Sequence, residues 1–135
     1  MAEQVKGAVP SEVAGWFRKG DTDERAARIL IRETGPAEAT CALMAMWAEK
    51  HLRGYLVAKG QKPEASVEFE ALVEACGALD PAFKVWVEAG GVLGKYQRAW
   101  KSPGAEPPAT WDTDQAARTA ETLVRMVRGM VRAGA

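Results

Sequence analysis

Apolar residues recur along this chain at helical spacing, and the recurrences break at glycine and proline. Val13, Trp16 and Phe17, then Ala26, Ala27, Leu30 and Ile31, share one helical face from Ser11 onward. Ser11 is a candidate N-cap, and the pattern predicts one long helix to about Glu33, with a break near Gly20 as the alternative. Residues 1–10, MAEQVKGAVP, read as a flexible tail. Gly35-Pro36 closes this first segment and opens the next, because a proline at the first helical position gives up an N–H that has no intrahelical partner. Residues 36–59 predict a second helix. Its first half, AEATCALMAMWA, is apolar almost all round, as a central buried helix would be, and its second half narrows to Leu52, Tyr55 and Leu56.

Residues 66–79 fit two periods. Val67, Phe69, Ala71 and Val73 alternate with Glu68 and Glu70 as in a strand, while Phe69, Leu72, Val73 and Cys76 fit a helix. No other segment offers a partner strand, and a lone strand leaves its backbone unpaired, so a helix capped by Ser66 is the expectation. Asp80-Pro81 is a sharp start signal, an N-cap acid followed by proline. Behind it Ala82, Trp86, Ala89, Leu93, Tyr96 and Trp100 form one stripe. Gly90, Gly91 and Gly94 weaken that helix by about 1 kcal/mol each relative to alanine, and would let another backbone come close. Residues 102–110, SPGAEPPAT, are a loop. Asp112 with Gln115 forms a capping box, and the last helix runs to about Arg132 with Ala116, Ala120, Leu123, Val127 and Met130 on one face. The expected fold class is all-α: a bundle of about five helices in a single domain over residues 11–135.

The 135 residues suffice for one domain with a real core; a chain of this size buries roughly 68% of the surface that its unfolded form exposes. A hydrophobic fraction of 47% with 27% charged residues excludes a disordered chain. Lys plus Arg (18) balances Asp plus Glu (18), which argues against a generally basic nucleic-acid binder and leaves room for a local patch. Cys41 and Cys76 sit among apolar residues and outside any C-x-x-C pair, so buried reduced thiols are expected, with a disulfide or metal site as the alternative. The N-terminus carries no secretory-type apolar stretch, and the longest uncharged apolar run, residues 39–48, is far short of the roughly 20 residues of a membrane span. The expectation is a cytoplasmic protein that does not enter a membrane.

Most catalytic templates are missing: no phosphate loop, no G-x-G-x-x-G after a strand, no G-x-S-x-G elbow, no H-E-x-x-H pair. A triad would have to use His51, the one histidine, which reads as an exposed or edge residue of the second helix. Asp21, Asp23 and Glu24, and Glu68 with Glu70, read first as acids serving helix starts. Asp23 is the exception: near the middle of the first helix and close to its apolar side, it could reach Lys50 or Arg53. Arg118, Arg125 and Arg132 recur every seven residues, with Arg128 beside them, and Lys95, Arg98 and Lys101 end the preceding helix. If those ends met, they would form a cationic patch flanked by Trp100, suited to phosphate or nucleotide; a solvated face is the plainer reading.

Taken in order, these pieces resemble a family. A Trp-containing first helix has an Asp seven residues on (Trp16, Asp23). A long apolar helix passes through AEKHLRGYLVAKG, followed by SVEFEALVEACGALDP, then a tyrosine and a proline loop, GKYQRAWKSP, and a closing amphipathic helix. The chain from about residue 11 resembles HEPN domains, the higher-eukaryote-and-prokaryote nucleotide-binding domains. The resemblance implies an up-and-down helical bundle, usually dimeric. Many such domains partner minimal nucleotidyltransferases in toxin–antitoxin or nucleotide-handling pairs. Others are metal-independent ribonucleases that use an arginine separated from a histidine by four to six residues.

Departures from the family pattern shape the functional expectation. A ribonuclease motif ending at His51 requires arginine among residues that are here Met44, Ala45 and Met46. The frequent His-Asp of the family is Val67-Glu68, and the Arg-Tyr-Pro is Lys101-Ser102-Pro103. Asp23, Glu49, Lys50, Arg53, Tyr96 and Pro103 survive. The resemblance thus implies a non-catalytic binding module. It would dimerise and partner a minimal nucleotidyltransferase or bind a nucleotide; a ribonuclease toxin acting on RNA through a nonstandard site with Arg98 or Lys101, or a helical adaptor, are the alternatives. Candidate phosphate- or partner-binding residues are Asp23, Lys50, Arg53, Tyr96, Arg98, Lys101, Arg118 and Arg125. Candidate homodimer contacts are Trp86, Leu93 and Trp100, with Met126 and Met130 on the last helix as the second choice. No metal site and no cofactor is expected.

Overall fold

Helix α1 (Ser11–Arg32) runs antiparallel along α2 (Ala37–Ala58), and the rest of the chain wraps the remaining sides of α2. A computed structural model describes residues 9–134; most of the expected tail lies outside the described residues. Next come α3 (Phe69–Leu79), a 3-10 turn (Pro81–Val85), the single-turn α4 (Trp86–Ala89), α5 (Gly91–Lys101) and α6 (Thr113–Gly134). No strand occurs among the described residues, and the all-α bundle stands. The near-continuous apolar composition of α2 has the predicted consequence. It packs against α1, α6, α5 and α3, and Met44, Leu52, Tyr55 and Leu56 are buried from all sides.

Local chemistry explains most helix ends. Helix α2 stops in a Schellman arrangement: Gly60 N–H donates to the Val57 carbonyl at 2.9 Å and Gln61 N–H to Leu56 at 2.8 Å, with Gly60 at φ 82°. Helix α1 stops in the same way but places Thr34 in the left-handed position, at φ 54°. Asp80 Oδ1 accepts from the Ala82 N–H, and Asp112 Oδ1 accepts from the Gln115 N–H, both at 2.9 Å, so both predicted acid caps form.

Several expectations are corrected. Ser11 is already helical and Pro10 precedes it without a side-chain cap. The third helix begins at Phe69 behind Glu68, so Ser66 caps nothing. The first helix is the one long helix expected; the alternative, a break near Gly20, does not occur, and Gly20 is buried inside it. The expected fourth helix is three pieces, because Pro81 starts a 3-10 turn and the chain breaks again at Gly90. A 3-10 turn has a period of three residues, which rotates the stripe. Phe83 and Trp86 therefore point inward, while Ala82, Ala89 and Trp100 do not. The three glycines differ: a Cβ at Gly90 would stand 2.7 Å from the Trp86 carbonyl oxygen, the Glu70 side chain lies where a Gly94 Cβ would be, and nothing approaches Gly91. Cys41 and Cys76 are free and fully buried, and burial pushes their thiols up to about 11 and about 12.

Candidate functional site

Polar side chains meet between the elements of this bundle, at four junctions among others. The first joins α1, α2 and α6 around Asp21. Its carboxylate accepts from Trp47 Nε1 at 3.2 Å and from Arg128 Nη2 at 2.7 Å. His51 lies behind it, fully buried and stacked on Phe17 with ring centroids 4.5 Å apart. Nδ1 sits 2.9 Å from the Trp47 carbonyl, which can only accept, so Nδ1 carries the proton and Nε2 is the bare nitrogen. That nitrogen has no hydrogen-bond partner and stands 3.9 Å from Asp21 Oδ1. Burial lowers the imidazole pKa to about 4; Arg128 pushes the same way, while the Trp47 carbonyl and Asp21 oppose it. The expectation of an exposed or edge histidine is overturned: residues 17, 20 and 47 close over the ring.

At the second junction Lys50 Nζ donates to Asp23 Oδ2 at 2.5 Å, one of the two partners that the sequence offered Asp23. Asp21 and Asp23 lie mid-helix in unbroken α1, so the helix-start explanation for this acid cluster fails. At the third junction Arg53, 3% exposed, donates through Nε to Glu49 at 2.7 Å. Its other nitrogens reach the carbonyls of Glu64, Ala65 and Val67 at 2.9–3.2 Å. Gln97 Nε2 donates to the other oxygen of Glu49. Arg53 thereby holds the segment between α2 and α3, with four of its five N–H donors spent inside the chain. At the fourth, Arg98 Nη1 donates to both Glu70 oxygens, at 2.6 and 2.5 Å, with Glu68 3.6 Å away; this holds its pKa above the ordinary arginine value.

Tyr96 is buried. Its hydroxyl accepts from the Asp112 N–H at 3.2 Å and donates to Gln115 Oε1 at 3.4 Å, and its ring stacks on Trp111. It ties the 102–112 loop to α6. Gln115 uses its side chain there instead of closing the reciprocal half of the capping box.

The cationic residues do not gather into one patch. Arg118 pairs with Asp114 at 3.9 Å and Arg125 with Glu121 at 3.3 Å, so acids one turn away interleave with them. Arg132 lines a hollow with Val9, Phe17 and Arg128, and Lys101 lines another with Glu68, Arg98 and Ser102. Among the expected dimer contacts, Leu93 and Trp86 are buried in the chain's own core, with Trp86 Nε1 3.4 Å from Met126 Sδ; these two are corrected to core residues. Trp100 is 46% exposed. Met126 and Met130 are partly buried against the core.

Asp21, Arg128, Gln97 and Glu70 complete these junctions and were not singled out as partners. Their signal was weak: an acid at mid-helix and an arginine on the rim of an apolar stripe. A described set of three or more His, Cys, Asp or Glu placed to hold a metal ion does not occur.

Among the described residues the molecule is all helical, and several of its polar side chains bind one another across helix contacts. The HEPN domain model matches residues 13–130, most of the chain, and the chain belongs to the HEPN family. Its role is a HEPN-family role, related to nucleotide or RNA. No curated protein and no solved structure matches it. None of the described helices is long and apolar enough to cross a membrane.

Proposed function

We propose that this chain is a non-catalytic HEPN module that works by binding: it self-associates and partners a minimal nucleotidyltransferase. The carrying observation is the state of His51. For a histidine to transfer protons near neutral pH, its imidazole must both titrate there and reach substrate. His51 does neither, being fully buried and holding a pKa of about 4. Two of the three positions where the family's ribonuclease arginine would stand support the same reading, Met46 being only partly buried. Met44 and Ala45 are fully buried in the core, where a guanidinium would lack partners. Arg98, one of the two residues that a nonstandard ribonuclease site would use beside Lys101, is held by Glu70.

Purified protein incubated with RNA should leave it intact, and His51→Gln should change nothing. Cleavage that the substitution abolishes would overturn the reading. The tagged chain isolated from its native host should bring down a minimal nucleotidyltransferase. Direct calorimetric titration with nucleoside triphosphates separates nucleotide binding from a protein partner.

A further inference from the structure

Helices α1 and α6 both pack on α2, and their side chains meet above it. Asp21 Oδ2 accepts from Arg128 Nη2 at 2.7 Å, and Arg28 Nη2 stands 3.8 Å from Glu121 Oε1. Those two meetings fix the register: α1 and α6 run antiparallel, with residue 21 level with 128 and residue 28 level with 121. On α1, Arg18, Arg25 and Arg32 each stand three or four residues from Asp21 or Arg28, which makes them the next row on the helix surface. On α6, Arg118, Arg125 and Arg132 stand in the same relation to Glu121 and Arg128. All six are exposed. The register sets Arg18 level with Arg132, Arg25 with Arg125 and Arg32 with Arg118. The α6 arginines thus find their counterparts on α1, not on α5. Two rows flank one cleft, at steps of roughly 10.5 Å and over a length of roughly 21 Å.

Eight of the chain's ten arginines lie in these rows or between them, and no lysine does. Asp21, Glu24 and Glu121 lie between the rows and hold Arg28 and Arg128, which also sit over the Trp47 and Phe17 rings at 5.9 and 5.3 Å. The rims are held more loosely. Arg32, Arg118 and Arg125 pair with Glu33, Asp114 and Glu121 at 3.3–3.9 Å along their own helices, and solvent-facing pairs of that kind contribute little and give way to a stronger anion. Arg18, Arg25 and Arg132 have no ion-pair partner within 4.0 Å among the described residues. Eight arginines against five acids leave the face cationic in a chain whose formal net charge is zero.

The spacing and the residue type select the ligand. Arginine grips phosphate with two parallel N–H bonds. A single nucleotide cannot use three levels spread over roughly 21 Å, whereas a chain of phosphates can. Single strands are held by stacking their bases on aromatic rings, and the two rings of this cleft, Phe17 and Trp47, are buried beneath Arg128 and Arg28. A protein partner would need an apolar centre, and among the described residues the exposed large apolar side chains of α1 and α6 are Ile29 and Ile31, at one end of the cleft. A base-paired stem hides its bases and presents its phosphates outward. We propose that the α1–α6 cleft holds the phosphate backbone of a base-paired nucleic-acid stem, with the two arginine rows on the phosphates and no base read. This is binding without cleavage, and it stands apart from self-association and from the nucleotidyltransferase partner.

Fluorescence anisotropy tests it over a salt series, with a short labelled RNA duplex, the DNA duplex of the same sequence and the single RNA strand as probes. Circular dichroism confirms that each variant is folded. The native chain should bind duplex in preference to the single strand, with equal affinity for duplexes of unrelated sequence. Binding to one kind of duplex alone names RNA or DNA as the source of the backbone; equal binding to both assigns the face to either. Arg25→Gln combined with Arg125→Gln should weaken duplex binding by on the order of tenfold or more, and should lower the log–log salt slope by about 1 for each arginine removed. Lys84→Gln, on the 3-10 turn, should change neither. No duplex binding at low salt, tighter binding of the single strand, or a salt slope that the arginine substitutions leave unchanged would overturn the proposal. A double variant that keeps duplex binding and instead fails to bring down a protein that the native chain captures would make the cleft a protein interface, and would overturn it too.

Discussion

Gly20 lies against the imidazole of His51. A Cβ at residue 20 would stand 3.1 Å from His51 Nδ1 and 3.2 Å from the Trp47 carbonyl oxygen. The contact explains how α1 and α2 approach closely enough to seal the ring, and why a glycine persists at mid-helix.

Gly20→Ala therefore sets two effects against each other. Helix propensity favours alanine by about 1 kcal/mol, while overpacking costs roughly 1–3 kcal/mol. The contact includes a backbone carbonyl, which cannot swing aside, so overpacking wins and the variant should lose about 1 kcal/mol in urea unfolding. Gly129→Ala, where nothing lies within 4 Å of the new methyl, should show the propensity gain alone.

The buried imidazole makes stability depend on pH. Its pKa falls from the ordinary 6.5 to about 4 in the folded chain. Between those values the unfolded chain binds a proton that the folded chain does not. The contribution is therefore complete above pH 6.5 and is lost as pH falls toward 4, by as much as about 3 kcal/mol. Urea unfolding at pH 7 and at pH 4.5 should reveal this slope, and His51→Gln should flatten it.

Arg53→Ala should be among the more damaging polar substitutions. It removes the donor to three carbonyls of the 64–67 segment and leaves Glu49 half-buried without its cation. A loss of about 3 kcal/mol is expected. Hydrogen exchange should show faster opening of residues 61–68, with α6 unaffected.

Thr34 and Gly60 both take the left-handed position after a helix, at φ 54° and φ 82°. A β-branched residue is strained there and glycine is not, so Thr34→Gly should stabilise by about 1 kcal/mol and Gly60→Ala should destabilise by a similar amount. Opposite shifts in thermal midpoint are the check; shifts of the same sign would contradict the two cap geometries.

The Asp21–Arg128 contact pins α6 to α1, and a double-mutant cycle can measure it. With both side chains 36–41% exposed, the coupling should be about 1 kcal/mol. Asp21→Ala should cost more than Asp21→Asn, because the asparagine amide oxygen can still accept from the Trp47 indole and alanine cannot.

Periodicity and end signals are properties of neighbouring residues, and those were legible. The apolar run of α2, the stripe of α6, the acid caps at Asp80 and Asp112 and the burial of both cysteines all follow from local pattern. Asp23 with Lys50 was legible too, because two adjacent antiparallel helices constrain which residues can meet. The polar junctions were not. Asp21 meets Trp47 26 positions away and Arg128 107 positions away, and those meetings depend on the register and rotation of three packed helices. The same holds for His51, whose burial arises from Phe17 and Gly20 on another helix and cannot be inferred from Glu49-Lys50-His51-Leu52. The 3-10 turn after Asp80 is the sharpest case. Its residues fit an α-helical stripe, but Pro81 and packing on α3 tighten the turn, and one change of period exchanges Phe83 for Ala82 in the core. Local pattern specifies which helices form; long-range packing sets which of their polar atoms meet and which apolar side chains stay outside.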